Sequence, residues 1–257
     1  MKKIIVLNKK EGETPLQALS LFRNKHKAYK DVSMTYAGRL DPMASGLLLI
    51  LAGEETKNRE KYLKLDKEYE FQVLFGFATD TYDILGKVTK ANTRQDLTEK
   101  RGDLEKKIKD NLKLFTGKFI QKYPLYSSKT VAGKALFEYG REGIDVVVPT
   151  REVSVKSLKF LSIKKINTQK LLSDIERRVK RVDGDFRQEE ILKIWKQNLK
   201  VKNEQGDVFL RIARFKIKCG SGTYVRGIAY ALGEAIGLPA LAFSIKRTKI
   251  GKYDKVQ

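Results

Sequence analysis

Arg39-Leu40-Asp41-Pro42-Met43-Ala44-Ser45-Gly46-Leu47-Leu48 sets one carboxylate between a cation and a proline, just ahead of the apolar run 47–51. A residue that precedes proline is pushed out of the helical region, so Asp41 is expected on an extended or turning backbone. Gly46 permits an unusual dihedral or a close backbone approach before the chain enters a buried strand. An acidic side chain presented from a loop onto such a strand is placed to act as an electrostatic or nucleophilic group on a pocket floor. Isolated loop aspartates are usually turn formers, so a second group is needed before Asp41 means more than that.

Working outward, residues 4–7 read as a short buried strand. Thr14-Pro15 reads as an N-cap with proline at the first helical position, opening a helix that carries Leu16, Leu19, Leu21 and Phe22. Tyr69, Phe71, Val73 and Phe75 alternate and share one face of a strand. Residues 104–115 have helical spacing and stop at Gly117, while 152–163 and 208–219 alternate as two further strands. Between these lies a charged helical hairpin, with one stripe of Leu171, Leu172, Ile175 and Val179 and another of Ile191, Leu192, Trp195 and Leu199. Gly184-Asp185 supplies its break and an N-cap. Residues 226–236 form an Ala/Leu-rich helix closed by Gly237 and Pro239. Strands and helices interleave without the regular beat of a doubly wound fold.

The 257 residues carry 53 Lys plus Arg against 31 Asp plus Glu, a formal net charge of +22. Such an excess favours a polyanionic partner, nucleic acid before a membrane surface. The longest apolar run, 47–52, is far too short to span a bilayer, and the N-terminal apolar stretch too short for a signal peptide. Cys219 and His26 are the only residues of their kinds, so neither a disulfide framework nor a common zinc site is available within the chain. The expectation is an intracellular, cytoplasmic protein with no membrane partner.

The same inventory weakens several nucleic-acid chemistries. Cys219 sits in a strand pattern, where a buried inert thiol is the usual outcome rather than a nucleophile. The His/Cys set of a zinc deaminase is missing, as are a Walker loop and a dinucleotide-binding glycine motif. Carboxylate chemistry helped by arginine and tyrosine remains. Arg226, which follows the glycine-containing turn Cys219-Gly220-Ser221-Gly222-Thr223-Tyr224-Val225, is the best partner for Asp41, because a paired guanidinium keeps a desolvated aspartate ionised and oriented. From spacing alone, a surface arginine is an equal reading. Tyr69, on its alternating strand, reads as core before it reads as catalytic.

Motifs in order along nearly the whole chain resemble the TruB family of tRNA pseudouridine-55 synthases. Ala37-Gly38-Arg39-Leu40-Asp41-Pro42-Met43-Ala44-Ser45-Gly46-Leu47-Leu48 is similar to the family's aspartate motif, and Lys67-Glu68-Tyr69 to its Lys-x-Tyr motif. Phe75-Gly76-Phe77-Ala78-Thr79-Asp80-Thr81-Tyr82-Asp83-Ile84-Leu85-Gly86 follows as in the family. Phe115-Thr116-Gly117, Gln121, Pro124, Tyr126-Ser127, Lys129, Gly133 and Arg141-Glu142-Gly143 resemble a segment that grips RNA as a mobile thumb. Gly222-Thr223-Tyr224-Val225-Arg226 and Lys246-Arg247-Thr248-Lys249-Ile250-Gly251 complete the set. Pro42 and the segment 222–226 separate this pattern from the ribosomal and dual-specificity pseudouridine synthases.

The resemblance implies an α/β fold of the α+β type, the pseudouridine synthase fold. It has a mixed, mostly antiparallel sheet flanked by helices, here with an inserted helical hairpin. It implies a single catalytic domain over 1–257, a thumb-like segment about 121–148, the hairpin at 166–203 and no C-terminal PUA-type domain. It assigns Asp41 as the catalytic aspartate, Tyr69 to stack on the target base and assist proton removal from C5, and Arg226 to hold Asp41. Ile245 would line the uracil pocket, and Arg39, Lys67 and Lys129 would belong to the substrate-binding set. Tyr36 stands where the family usually has a histidine, whose ring fills the gap left by the flipped base. The family reaction breaks the glycosidic bond of uridine, turns the base and rejoins it through C5, with no metal and no cofactor. The partner implied is the T stem-loop of tRNA, bound by a monomer. A synthase for another RNA and a non-catalytic tRNA chaperone stay as alternatives. The opening Lys-Pro-x-Gly-x-Thr pattern of the family appears as Lys9-Lys10-Glu11-Gly12-Glu13-Thr14, without its proline. The hairpin is longer than the family's usual connection, and its Lys/Arg-rich faces are expected either to contact tRNA or to be a solvated decoration.

Overall fold

A computed structural model describes residues 2–92, 101–204 and 209–256. In chain order the strands are β1 (Ile4–Lys9), β2 (Met34–Ala37), β3 (Ala44–Ala52), β4 (Lys67–Phe75), β5 (Phe77–Thr79) and β6 (Val88–Ala91), then β7 (Gly117–Lys122), β8 (Thr130–Val131), β9 (Lys134–Ala135), β10 (Thr150–Asn167), β11 (Phe209–Cys219) and β12 (Ala240–Ile250). The helices are α1 (Pro15–Lys25), α2 (Arg59–Leu63), α3 (Arg101–Asn111), α4 (Leu136–Glu142), α5 (Thr168–Val179), α6 (Gln188–Glu204) and α7 (Val225–Ile236).

Among the described residues, eight strands form one sheet in the order β1-β3-β12-β4-β11-β10-β7, with β2 also paired to β3. The pairs are antiparallel except β3 with β12, so the sheet is mixed and mostly antiparallel. The parallel contact is short: Ala44, Ser45 and Gly46 face Ile245, Lys246 and Arg247. It lies at the start of β3, directly after the Asp41 turn. Gly46 is inside the strand rather than ahead of it. Its φ is +103°, and a Cβ there would stand 2.2 Å from the Arg247 carbonyl oxygen, so only glycine lets β12 close onto β3.

The period-2 pattern of β4 sorts the two faces of the sheet. Tyr69, Phe71, Val73 and Phe75 pack with Phe215 and Ile217 of β11 beneath α7 and α3. Leu74 points the other way and joins Ile212 and Leu241 under the α5–α6 hairpin. Trp195 of α6 is fully buried there, edge-on to Phe77 at 5.1 Å, and its indole N–H donates to the Ile84 carbonyl at 3.3 Å. A buried indole that finds an acceptor anchors as well as fills. The hairpin is therefore packed into the body along its apolar stripes.

Several local expectations shift. Thr14 caps α1 with Gln17 in a reciprocal capping box, but Leu16 and Leu21 are exposed, because α1 buries Ala18 and Leu19 instead. The expected helix over 104–115 starts at Arg101 and ends in a 3₁₀ turn over Leu112–Phe115. β10 runs further than 152–163 at both ends because it pairs with β7 and β11 in turn. Val208, at the edge of the expected strand 208–219, lies outside the described residues. Asp185 does not cap α6; its carboxylate accepts from the Arg187 N–H at 3.1 Å, and Arg187 itself precedes the helix with φ +64°. Among the described residues, no helix is long and apolar enough to cross a membrane.

Candidate active site

A turn joins β2 to β3, closed by the Ala44 N–H donating to the Asp41 carbonyl at 3.0 Å. Three buried cations fix the surroundings of this turn. Lys9 donates from Nζ to the carbonyls of Lys10 (2.9 Å), Glu13 (2.5 Å) and Pro42 (3.4 Å). Arg247 donates to the carbonyls of Leu47 (2.7 Å), Gly38 (3.0 Å) and Arg39 (3.4 Å). Arg226, in the first turn of α7, reaches the carboxylate itself, with Nε 2.8 Å from Asp41 Oδ2. Cations that saturate backbone carbonyls bury their charge without a free counter-ion and hold the loop they bind.

The Asp41–Arg226 pair is asymmetric. Only 3% of the Arg226 side chain is exposed, against 39% of the Asp41 side chain. Arg226 also donates to the carbonyls of Thr81 and Tyr126, the latter at 3.2 Å. A second carboxylate, Asp83, lies behind it with Oδ2 3.7 Å from Nε. Burial works against the Arg226 charge, yet Asp41 and Asp83 raise its pKa above the ordinary arginine value. Burial pushes the Asp83 carboxyl up to about 6, opposed by the Arg226 guanidinium. Asp83 is further held by the Thr81 hydroxyl at 2.8 Å and the Leu85 N–H at 3.0 Å. The arginine is thus locked from behind and presents one carboxylate outward.

Asp41 and Arg226 line a cleft of about 670 Å³. Tyr69 and Ile245 form part of its apolar wall, each under a tenth exposed. Burial pushes the Tyr69 phenol above its ordinary pKa, so it is a neutral ring at pH 7. Tyr36, on β2 just ahead of the Asp41 turn, also lines the cleft. Arg39 is exposed on the rim. Lys67 also lines the cleft but is buried; its Nζ donates to the Leu63 carbonyl at 2.6 Å, and burial with help from Arg247 lowers its pKa to about 8. Lys129 is the exception among the expected residues: it is exposed outside the cleft lining, with Nζ 5.9 Å from the Tyr123 ring centre. Cys219 is buried and its thiol is pushed up to about 11 by burial.

Sequence reasoning did not single out Asp83, Lys9, Arg247 or Arg187. Lys9, Asp83 and Arg247 stood inside the motifs quoted above, but each also meets a partner from a distant part of the chain, Pro42, Arg226 and Leu47 respectively. Asp83 gave a usable signal: Thr81-Tyr82-Asp83 places a hydroxyl two residues before a carboxylate, and the two meet at 2.8 Å. The described residues hold no group of His, Cys, Asp and Glu able to bind a metal.

Residues 25–179 match the family model of the TruB family pseudouridylate synthase N-terminal domain. The chain is 31% identical over 252 residues to tRNA pseudouridine synthase B of Endomicrobium trichonymphae, covering 98% of this chain and 86% of that protein. It is 33% identical over 254 residues to tRNA pseudouridine synthase B of Lactobacillus gasseri, covering 98% and 69%. Among solved structures it resembles a chain of a Cbf5-Nop10-Gar1 complex, with TM-score 0.56 and 17% identity over 98% of this chain and 50% of that one. It also resembles a chain of an H/ACA RNP bound to a substrate RNA containing 2'-deoxyuridine, with TM-score 0.54 and 17% identity over 98% and 48%. The chain spans about half the length of these two, and the likeness to them concerns the fold.

Proposed function

The chain belongs to the TruB family of pseudouridylate synthases, and on that premise we propose that it isomerises uridine to pseudouridine at position 55, in the T loop of tRNA. The observation that carries the reading is the asymmetric pair: a buried guanidinium held by two backbone carbonyls and a half-exposed carboxylate that it orients toward the cleft. Both roles open to Asp41, attack on the ribose and removal of a ribose proton, are those of a carboxylate, and Arg226 fixes the direction in which that carboxylate points. The C1′–N1 bond of uridine breaks, the freed uracil turns, C5 bonds to C1′ and gives up its proton, and N1 takes one up, so that no atom is gained or lost. Tyr69 supplies a neutral ring for the base to stack on and Ile245 an apolar neighbour.

A uridine in a folded loop must be everted to reach Asp41, which costs roughly a few kcal/mol and is offset by stacking and pocket contacts. Tyr36 is offered as the ring that occupies the vacated place. Phosphates are met by the general excess of cations, with Arg39 on the rim of the cleft. The segment around 121–148 is proposed as the RNA-gripping thumb, with Lys129 on its outer side to meet RNA beyond the cleft. Lys67 is better read as a brace beneath Tyr69 than as a phosphate ligand, because its ammonium is buried on a backbone carbonyl. The protein is proposed to act as a monomer, and tRNA as partner fits a cytoplasmic location.

The test is to incubate the pure protein with unmodified tRNA and map modified uridines. Pseudouridine confined to position 55 is the expected result. Pseudouridine elsewhere would make it a synthase for another site or RNA, and binding without product would make it a chaperone.

A further inference from the structure

The α5–α6 hairpin ends against the cleft, and what its turn touches there is specific. Phe186 and Arg187 of the turn line the cleft. Arg187 Nη1 donates to Asp80 Oδ2 at 2.8 Å and to the Tyr126 hydroxyl at 2.6 Å, and its guanidinium stacks on the Tyr126 ring at 4.3 Å. These contacts involve the two segments that hold Arg226. Tyr126 gives its carbonyl to Arg226 Nη2, and Thr81, next to Asp80, gives its carbonyl to Nη1. From the other side Arg141 of α4 donates to the Asp185 carbonyl and lies 6.0 Å from the Phe186 ring centre. One side chain of the insertion therefore ties together both backbone acceptors of the guanidinium that orients Asp41.

The hairpin is able to bear on them. Trp195 is locked beneath it, and Arg178 of α5 makes a two-pronged ion pair with Glu11, in the loop that also donates from Gly12 N–H to the Pro42 carbonyl at 2.9 Å. Arg187 has its charge matched by Asp80 and its side chain only 17% exposed, so it is already spent on protein partners and is a poor candidate for a phosphate ligand.

We propose that Arg187 is a positioning residue for catalysis: through Asp80 and Tyr126 the hairpin sets the position of Arg226, and so the aim of Asp41. The proposal rests on the isomerase reading for its rate, so a second readout is independent of activity. A displacement of about 1 Å in a reacting group costs on the order of 100-fold, so Arg187→Ala is expected to lower the single-turnover rate at saturating tRNA by about 10- to 100-fold. The tRNA Kd should stay within about twofold, because no phosphate contact is removed. Arg187→Lys should recover part of the rate, since it restores the charge opposite Asp80 but not the stack or the fork. In a ¹⁵N spectrum, solvent exchange of the Arg226 Nε–H should quicken in Arg187→Ala.

An unchanged rate together with an unmoved Arg226 signal would overturn the proposal. So would a loss confined to Kd, which would make Arg187 an RNA contact. If the wild type makes no pseudouridine while the Arg226 signal still responds, the isomerase reading fails and the brace stands. Should Arg187→Ala not fold, Asp80→Asn keeps the shape and removes the charge; a loss of about threefold or more is expected, and a wild-type rate would count against the proposal equally.

Discussion

Two arginines are buried almost equally in this molecule and are put to opposite uses. Arg178 grips Glu11 with Nε and Nη2 at 2.9 and 2.7 Å, takes the Phe243 carbonyl at 2.7 Å, and rests 4.7 Å from the Phe243 ring centre. Both oxygens of its carboxylate are consumed, and the result fastens α5 to the N-terminal loop. Arg226 instead places a single N–H on Asp41 and spends its other donors on backbone carbonyls, leaving more of its carboxylate exposed than Glu11 keeps, 39% against 24%. Ion pairing alone does not mark a reactive site. What marks it is an arginine satisfied from behind, so that its carboxylate is oriented without being used up.

The comparison breaks most sharply at Asp41. Asp41→Asn removes the anion while keeping the shape, and product formation should fall by about 10³-fold or more with tRNA binding largely retained. Turnover near wild type would place the chemistry elsewhere. Arg226→Lys comes next. Lysine keeps a charge but has one nitrogen where Arg226 aims three, each at a different acceptor, so a loss of about 100-fold in the saturating rate is expected. The matching change on the closed side, Arg178→Ala, should act on stability instead. Breaking a buried pair strands Glu11 and should cost about 3–5 kcal/mol in urea denaturation. Its rate per folded molecule should fall less than that of Arg226→Lys, and a reversed order would mean that the two pairs do not divide the work as their geometry indicates.

Much of the open side was legible from the residues. Proline after Asp41, the alternation of Tyr69, Phe71, Val73 and Phe75, and the glycine-containing turn before Arg226 each follow from local backbone rules, and each stands in the fold as those rules require. The hairpin stripes were legible for the same reason, since periodicity records which face is covered. The brace behind the site was not. Lys9, Arg247 and Arg187 act on backbone carbonyls or on side chains more than a hundred residues away in two of the three cases, and nothing in local spacing records such a meeting. In a chain with 53 basic residues, a buried structural cation looks like any surface one. Lys129, expected in the RNA-gripping segment, stands just before β8, exposed and outside the cleft lining, and local spacing does not record which way that segment faces.

The smallest effect expected concerns Asp83, the carboxylate that Arg226 keeps on its inner side. Its burial raises the carboxyl from an ordinary 3.8 to about 6, so between those values the folded protein holds a proton that the unfolded chain has released. Stability that depends on this proton is fully present below about pH 4 and is lost as pH rises through about 6. Asp83→Asn cannot ionise, so the variant should gain on the wild type as pH rises through that window, by about 3 kcal/mol in all. Loss of the contact to Arg226 adds a penalty that does not change over the same range, because the guanidinium stays charged throughout. The difference in slope is therefore the diagnostic quantity, read from urea denaturation of both proteins at several pH values between 4 and 7. Parallel curves would mean that burial does not raise the Asp83 carboxyl, and the inner side of the guanidinium would then be no more sealed from solvent in its electrostatics than the outer one.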